Sequence, residues 1–138
     1  MFTLLLWGCI GEFQEKNFIP ELEIRSPEES LFQQDDRILF TLYAWDPDAG
    51  TNGLEVNIQS DLDGLVFSGI PQEDGTLEAS LLLSIGSHLI TIFATDADAG
   101  VKSVTKEIIV NGRPHTPITQ LLPETPSTTD VISLRLEE

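Results

Sequence analysis

The feature that most constrains the fold of this chain is an apolar segment that occurs twice. The first copy, LFTLYAWDPDAG, covers 39–50, and the second, LITIFATDADAG, covers 89–100. In each copy every second residue before the first aspartate is apolar and faces one way in an extended backbone. The pattern therefore predicts two equivalent β-strands, each followed by an Asp-x-Asp-Ala-Gly turn. The identical pairs are Leu39/Leu89, Thr41/Thr91, Ala44/Ala94, Asp46/Asp96, Asp48/Asp98, Ala49/Ala99 and Gly50/Gly100.

Similar alternating runs occur elsewhere in the chain. They lie around 20–26, 54–58, 77–81 and 104–110, and clusters rich in Gly and Asp separate them. No stretch of useful length places apolar residues at helical spacing. Several short strands separated by turns predict an antiparallel β-sandwich. In that topology the two repeated segments are the second and sixth strands, central in opposite sheets. They run in the same direction, so we expect DPDAG and DADAG at the same end.

The composition agrees with one packed domain that does not bind nucleic acid. The chain has 138 residues, of which 41% are hydrophobic, so a core is available. Its net charge of −16, from 23 acidic and 7 basic residues, argues against DNA or RNA as a partner. A membrane-spanning helix needs about 20 consecutive apolar residues, and the sequence has no such run.

The order of the segments resembles the bacterial immunoglobulin-like, PKD-like and cadherin-like repeats of secreted and surface proteins. The resemblance covers 20–111 and implies an all-β, antiparallel Ig-like β-sandwich of about seven strands. It carries information on fold and repeat type rather than on a ligand. The matching pieces are IRSPEES, RILFTLYAWDPDAG, SDLDG, EDGTLEASLLLSIGSHLITIFATDADAG and VTKEIIVNGRP.

The N-terminus resembles a bacterial lipobox. A short apolar run ends in Leu-Trp-Gly-Cys, and polar residues follow Cys9 directly. The resemblance implies a lipoprotein-type signal segment at 1–9, lipidation of Cys9 and a polar tether at 10–19. Each buried CH₂ of an acyl chain contributes about 0.8 kcal/mol to membrane binding. Ile10 stands where Asp is associated with inner-membrane retention, which favours the outer membrane or cell surface. The alternative is an inert, buried cysteine in an N-terminal strand.

Beyond the predicted domain the composition and the apolar pattern of the chain change. Residues 112–117 contain two prolines and predict a linker of restricted flexibility. Residues 118–138 then repeat the order of an apolar strand, a turn and a second strand. Two interpretations are open for this segment: the start of a second repeat that is truncated here, or an acidic tail.

The aspartates of the two repeated loops are the candidate metal ligands. If both loops lie at one end of the sandwich, Asp46, Asp48, Asp96 and Asp98 bring four carboxylates towards one place. Ca²⁺ binds 6–8 oxygen atoms, which loops of this composition supply. The competing interpretation is that Asp and Gly are there because tight turns need them.

No catalytic constellation is predicted, and the chain is not expected to be an enzyme. His88 falls on the inward face of a strand, where a structural role is expected. The outward aromatic residues Tyr43, Trp45 and Phe93 either form a binding patch or are covered by neighbouring side chains and loops.

Together these features predict a non-catalytic, extracytoplasmic module of a lipid-anchored surface protein. It would act as a spacer or adhesive repeat, attached to the membrane through its lipid and contacting protein or glycan ligands. It would need no cofactor. Two alternatives are a Ca²⁺-dependent, cadherin-like adhesion module and a carbohydrate-binding accessory domain of an enzyme that follows it.

Overall fold

A computed structural model describes residues 16–114 and the backbone of 118–122 and 133–137. The described residues are all β, as the alternation predicted, and among them no helix has the length and hydropathy to cross a membrane. The strands are β1 (Glu21–Ser26), β2 (Leu31–Gln33), β3 (Ile38–Trp45), β4 (Glu55–Ser60), β5 (Gly64–Gly69), β6 (Thr76–Leu81), β7 (Gly86–Thr95), β8 (Val101–Asn111), β9 (Ile118–Leu122) and β10 (Ser133–Glu137).

The first eight strands form two sheets that pack as a β-sandwich. The smaller sheet has the order β1-β3-β6, and the larger sheet has the order β2-β8-β7-β4-β5. The repeated segments are β3 and β7, and they lie inside opposite sheets, as predicted. Strand β3 has neighbours on both sides in the smaller sheet, and β7 lies between β8 and β4 in the larger one.

The strand count and the pairing differ from the prediction of about seven antiparallel strands. The sandwich has eight strands, and β2 pairs with β8 in parallel, with Leu31 opposite Ile109. Strand β2 has three residues and lies between two of the predicted strands, and β5 is a strand with glycine at both ends. Neither strand carries a periodic signal of its own. Strand β2 is defined by its pairing with the distant β8, and β5 by its hairpin with β4.

The core forms from the alternate residues of the strands. Phe40 and Leu42 of β3 meet Ile90 and Ile92 of β7 in one apolar cluster, and all four side chains are fully buried. Complete burial of a side chain of this size contributes about 1.5–3 kcal/mol. Ala44 and Ala94 are the last inward residues before the loops, and both are also fully buried.

Strands β9 and β10 form a separate two-stranded sheet. They pair antiparallel, with Ser133 opposite Leu122 and Glu137 opposite Ile118. Both strands fall inside 118–138, the segment that was predicted to begin a second repeat or to form a tail.

Candidate functional site

The two Asp-x-Asp-Ala-Gly loops meet at one end of the sandwich. A Cβ atom placed on Gly53, which follows the first loop, would lie 2.9 Å from Cβ of Ala97 in the second. Asp48 and Asp98 line the same open depression. The expectation that β3 and β7 deliver their loops to a common end is therefore confirmed.

In each loop the first aspartate is buried and organises the turn. Asp46 is 3% exposed and Asp96 is 5% exposed. The N–H of Asp48 donates to Oδ1 of Asp46 at 2.8 Å, and the N–H of Asp98 donates to Oδ1 of Asp96 at 2.8 Å. These are Asx-turns, in which a carboxylate takes the place of a backbone acceptor. The turn interpretation accounts for both residues.

The same loops also hold the chain that enters the domain. Asn17 donates from Nδ2 to Oδ2 of Asp96 at 3.2 Å, and the N–H of Phe18 donates to Oδ2 of Asp48 at 2.7 Å. We call these four residues the N-terminal latch. Gly100 leaves room for it, because a Cβ atom there would clash with Oδ2 of Asp96. The end of the predicted tether is thus bonded to the domain.

The geometry of the latch bears on the predicted calcium site. Among residues 16–114, no group of three or more His, Cys, Asp or Glu side chains is arranged to hold a metal ion. Oδ1 of Asp46 and Oδ1 of Asp96 already accept backbone N–H groups. Lys16 lines the same depression as Asp48 and Asp98 and brings a positive charge to it. The calcium site remains a prediction, and the other predicted site residue, Cys9, lies outside the described residues.

A second polar cluster lies at the opposite end of β7. His88 lies on the inward face of β7, as predicted, and is fully buried. Its Nε2 lies 2.8 Å from the carbonyl oxygen of Ser84. Since a carbonyl only accepts, Nε2 carries a proton, and Nδ1 lies 2.8 Å from the Ser60 hydroxyl oxygen, within hydrogen-bond distance. The ring therefore joins the end of β4 to the segment before β7.

Asp63 closes this cluster from the SDLDG turn. Its carboxylate accepts the hydroxyl of Ser84 at 2.6 Å and the N–H of Ser84 at 2.9 Å. These two hydrogen bonds, the hydroxyl first, hold the pKa of the Asp63 carboxyl below its ordinary value. Asp63 therefore ties the SDLDG turn to the segment before β7.

Serine, histidine and aspartate occur together here, yet their geometry differs from that of a nucleophilic triad. In a triad the two ring nitrogens face the serine and the carboxylate separately. Here Ser60 and Asp63 both lie on the Nδ1 side of His88, at 2.8 Å and 3.8 Å. The Ser60 hydroxyl oxygen also accepts the N–H groups of Leu62 and Asp63 and is nearly buried. These contacts fit a structural cluster.

Two of the three outward aromatic residues are covered by their neighbours. The guanidinium of Arg25 lies over the Tyr43 ring, with its carbon 4.5 Å from the ring centroid. The ring of Trp45 packs against Gly50, where a Cβ atom would lie 3.2 Å away. Of the two interpretations for these residues, the covered one applies to Tyr43 and Trp45.

Comparison with known proteins gives no family. No protein-family model and no curated protein matches this chain. Among solved structures, the crystal structure of CopC from Methylosinus trichosporium OB3b is similar, with a TM-score of 0.42 and 14% sequence identity. The match covers 64% of this chain and 90% of that one. A similarity this distant identifies neither a family nor a function.

Proposed function

We propose that the chain is a non-catalytic Ig-like module of a lipid-anchored surface protein and serves as a spacer or adhesive repeat. It would work outside the cytoplasm, where the lipid at Cys9 holds it on the outer membrane or cell surface. A stiff sandwich in this position sets how far the following part of the protein stands from the membrane.

One observation carries the proposal: the chain enters the sandwich at one end and leaves it at the other. Asn17 and Phe18 are held by the aspartate loops. Strand β8 starts at Val101, directly after the second loop, and runs for 11 residues. At about 3.3 Å per residue this strand alone spans about 36 Å. Gly112 then lies beside Ile85, just before the start of β7, at the far end.

The exit of the chain is also tied to the sandwich. The N–H of Gln34 donates to the carbonyl of Asn111 at 2.8 Å, so the turn after β2 holds the last residue of β8. Arg113 pairs with Asp35 at 3.5 Å on the surface. A module held at both ends transmits its length and orientation better than one on free tethers, which supports the spacer role.

The strand order supports the Ig-like assignment. With β2 as an extra strand beside the first, the smaller sheet corresponds to A-B-E and the larger to A′-G-F-C-C′. Strands B and F then fall in opposite sheets, as in an immunoglobulin-like sandwich. A parallel pairing between A′ and G agrees with β2 against β8.

The C-terminal strands support a repeat rather than a tail. Strands β9 and β10 pair antiparallel, as β1 and β3 do at the start of the sandwich. The connections between the partners are of similar length, 27–37 in the first case and 123–132 in the second. The first two core-forming strands of a second module would have this arrangement.

A distance measurement tests the spacer proposal. Spin labels on cysteines replacing Lys16 and Arg113, in a Cys9→Ser background, should lie about 35 Å apart with a narrow distribution. A second pair at Lys16 and Asp98, on one depression, should give a much shorter distance. A broad distribution for the first pair, or a distance as short as that of the second, would contradict the proposal.

The anchor is tested separately by metabolic labelling. In a bacterial host that processes lipoproteins, an alkynyl fatty acid should label the whole chain and should not label Cys9→Ala. Equal labelling of the two proteins would rule out lipidation at Cys9 and leave the spacer geometry untouched.

A further inference from the structure

Among the edge strands of the sandwich, β5 differs from the others in charge. The edges are β1 and β6 in the smaller sheet and β2 and β5 in the larger one. From Gly64 to Gln72, which covers β5 and the three residues after it, the sequence GLVFSGIPQ has no charged side chain. Strands β1 and β6 carry charges, and β2 is only three residues long. The charged residues are Glu21, Glu23 and Arg25 on β1 and Glu78 on β6, and Glu28, Glu29, Asp35 and Asp36 flank β2.

The β5 edge is also apolar. Ile70 is 70% exposed and Leu65 is 61% exposed, the two highest values among the large apolar side chains of 16–114. Proteins usually protect an edge strand from other chains by a charge, a proline, a short length or a bulge. Only the bulge occurs within β5: the pairing with β4 shifts by one residue at Val66, between Leu65 and Phe67. Among the described strands β5 pairs with β4 alone, so the backbone groups on its other side can accept a further strand.

Two carboxylates lie beside this edge, and both are bonded within the sandwich. Glu55 lies one strand further in, on β4, and accepts the hydroxyl of Ser68 at 3.0 Å. Asp63 directly precedes β5 and is held by the N–H and the hydroxyl of Ser84. In a chain of net charge −16, most of the surface repels a second copy. Two copies that meet along β5 avoid placing one carboxylate directly against another.

A second copy of this chain fits these properties better than another class of partner. A cationic partner would find carboxylates over most of the surface but none on β5 itself. An antiparallel pair of β5 strands is self-complementary, because both copies supply the same backbone groups and the same apolar side chains across a two-fold axis. Six residues span about 20 Å. Pairing over that length covers less than the roughly 800 Å² per partner of a standard interface, so the dimer should be weak and reversible.

We infer that β5 pairs antiparallel with β5 of a second copy and joins the two larger sheets into one continuous sheet. The two-fold axis reverses the strand direction. The end at which the aspartate loops hold Asn17 in one copy therefore lies beside the end at which Gly112 leaves the other. Since the lipid proposed above holds the first of these ends at a membrane, the paired copies belong to two facing surfaces.

This inference names the partner for the adhesive role proposed above and rests on that role. The spacer distance is measured within one labelled chain diluted with unlabelled protein, so the failure of one proposal is distinguishable from the failure of the other.

Sedimentation velocity of the whole chain, in the Cys9→Ser background, tests the dimer. We expect a reversible monomer–dimer equilibrium as the protein concentration rises. Leu65→Lys and Ile70→Lys each place a charge on the β5 edge while lowering the net negative charge of the chain, and each should weaken the dimer about tenfold. Leu39→Lys is the matched control, because Leu39 is 50% exposed on the outer surface of the other sheet. It should dimerise like the wild type, with circular dichroism confirming that each variant is folded.

Energy transfer between copies tests the orientation. Donor and acceptor dyes are attached to cysteines that replace Lys16 or Arg113 in separate batches, which are then mixed. Transfer between 16 of one copy and 113 of the other should exceed transfer between the two copies of 16. The inference is overturned if the chain stays monomeric at every concentration, if both Leu65→Lys and Ile70→Lys dimerise like the wild type, or if Leu39→Lys weakens the dimer equally. Stronger transfer between the two copies of 16, or assembly beyond a dimer, would also overturn it.

Discussion

The two Asp-x-Asp-Ala-Gly loops share a sequence and a turn, but each binds the N-terminal segment through a different one of its two aspartates. In the first loop it is the second aspartate, Asp48, that reaches out and accepts the N–H of Phe18. In the second loop it is the first aspartate, Asp96, that accepts the side chain of Asn17. The N-terminal latch therefore takes one carboxylate from each copy, at non-equivalent positions.

The difference arises from how the two loops close. In the first loop, Asp46 and Gly50 exchange two backbone hydrogen bonds of 2.7 Å. In the second loop, the N–H of Gly100 donates instead to Oδ1 of Asp96 at 2.8 Å, so that one carboxylate serves two backbone donors there. A duplicated motif can keep its turn while its side chains take different partners.

The largest expected effect is the asymmetry between the two buried aspartates. Asp96→Ala leaves two backbone donors and the Asn17 side chain without their acceptor. Asp46→Ala leaves one backbone donor without its acceptor. We expect Asp96→Ala to lower the free energy of unfolding by about 3 kcal/mol and Asp46→Ala by about half as much. Urea unfolding of the whole chain, followed by tryptophan fluorescence, measures both.

Asp96→Asn and Asp46→Asn serve as the controls for that pair. An amide keeps an oxygen acceptor and loses the charge, so each should recover part of the stability. Equal losses for Asp46→Ala and Asp96→Ala would show that the hydrogen bonds seen only in the second loop carry no net stability.

The next effect separates Asp48 from Asp98. Asp48→Ala removes the acceptor of the Phe18 N–H, and since this bond is exposed we expect a loss of about 1 kcal/mol. The change should be local, so hydrogen exchange at the Phe18 amide should speed up while β3 and β7 stay protected. Asp98→Ala is the matched control and should leave Phe18 protected. Equal exchange in both variants would remove Asp48 from the latch.

A smaller effect concerns backbone conformation. The left-handed conformation falls on Gly50 in the first loop, with φ of +68°, but on Ala99 in the second, with φ of +66°. A non-glycine residue in this region costs about 1 kcal/mol. Ala99→Gly should therefore stabilise the protein by up to that amount, while Ala49→Gly at the equivalent position should slightly destabilise it. Thermal melts of the pair measure this, and a lower Tm for Ala99→Gly would contradict the assignment.

The comparison of the two loops also shows which structural features can be predicted from a single sequence. Strands β3 and β7 were predictable because alternation over several residues puts Phe40, Leu42, Ile90 and Ile92 on one side, and burial follows directly from that. Their shared end followed from their shared direction. The inward position of His88 was equally visible in the pattern.

Other features depend on contacts between distant parts of the chain. Asn17 and Asp96 are 79 positions apart, and nothing in either local sequence indicates their hydrogen bond. Ser60 and His88 meet only because β4 pairs with β7. A short strand such as β2 becomes a strand through β8, since three residues cannot establish a period. These features follow from sheet register, which the alternation does not determine.

The smallest expected effect is that of Ca²⁺ on the Tm. It concerns the four carboxylates that the duplication brings to one end of the sandwich. Oδ1 of Asp46 and Oδ1 of Asp96 hold backbone N–H groups, and the Lys16 side chain lies at the same depression as Asp48 and Asp98. An ion that needs 6–8 oxygen ligands would have to displace these partners. We expect millimolar Ca²⁺ to leave the Tm of the whole chain unchanged. A rise in Tm that disappears in both Asp48→Ala and Asp98→Ala would instead establish a Ca²⁺-dependent module. Asp98 is not part of the N-terminal latch, so its substitution would abolish such a rise only if its carboxylate binds the ion.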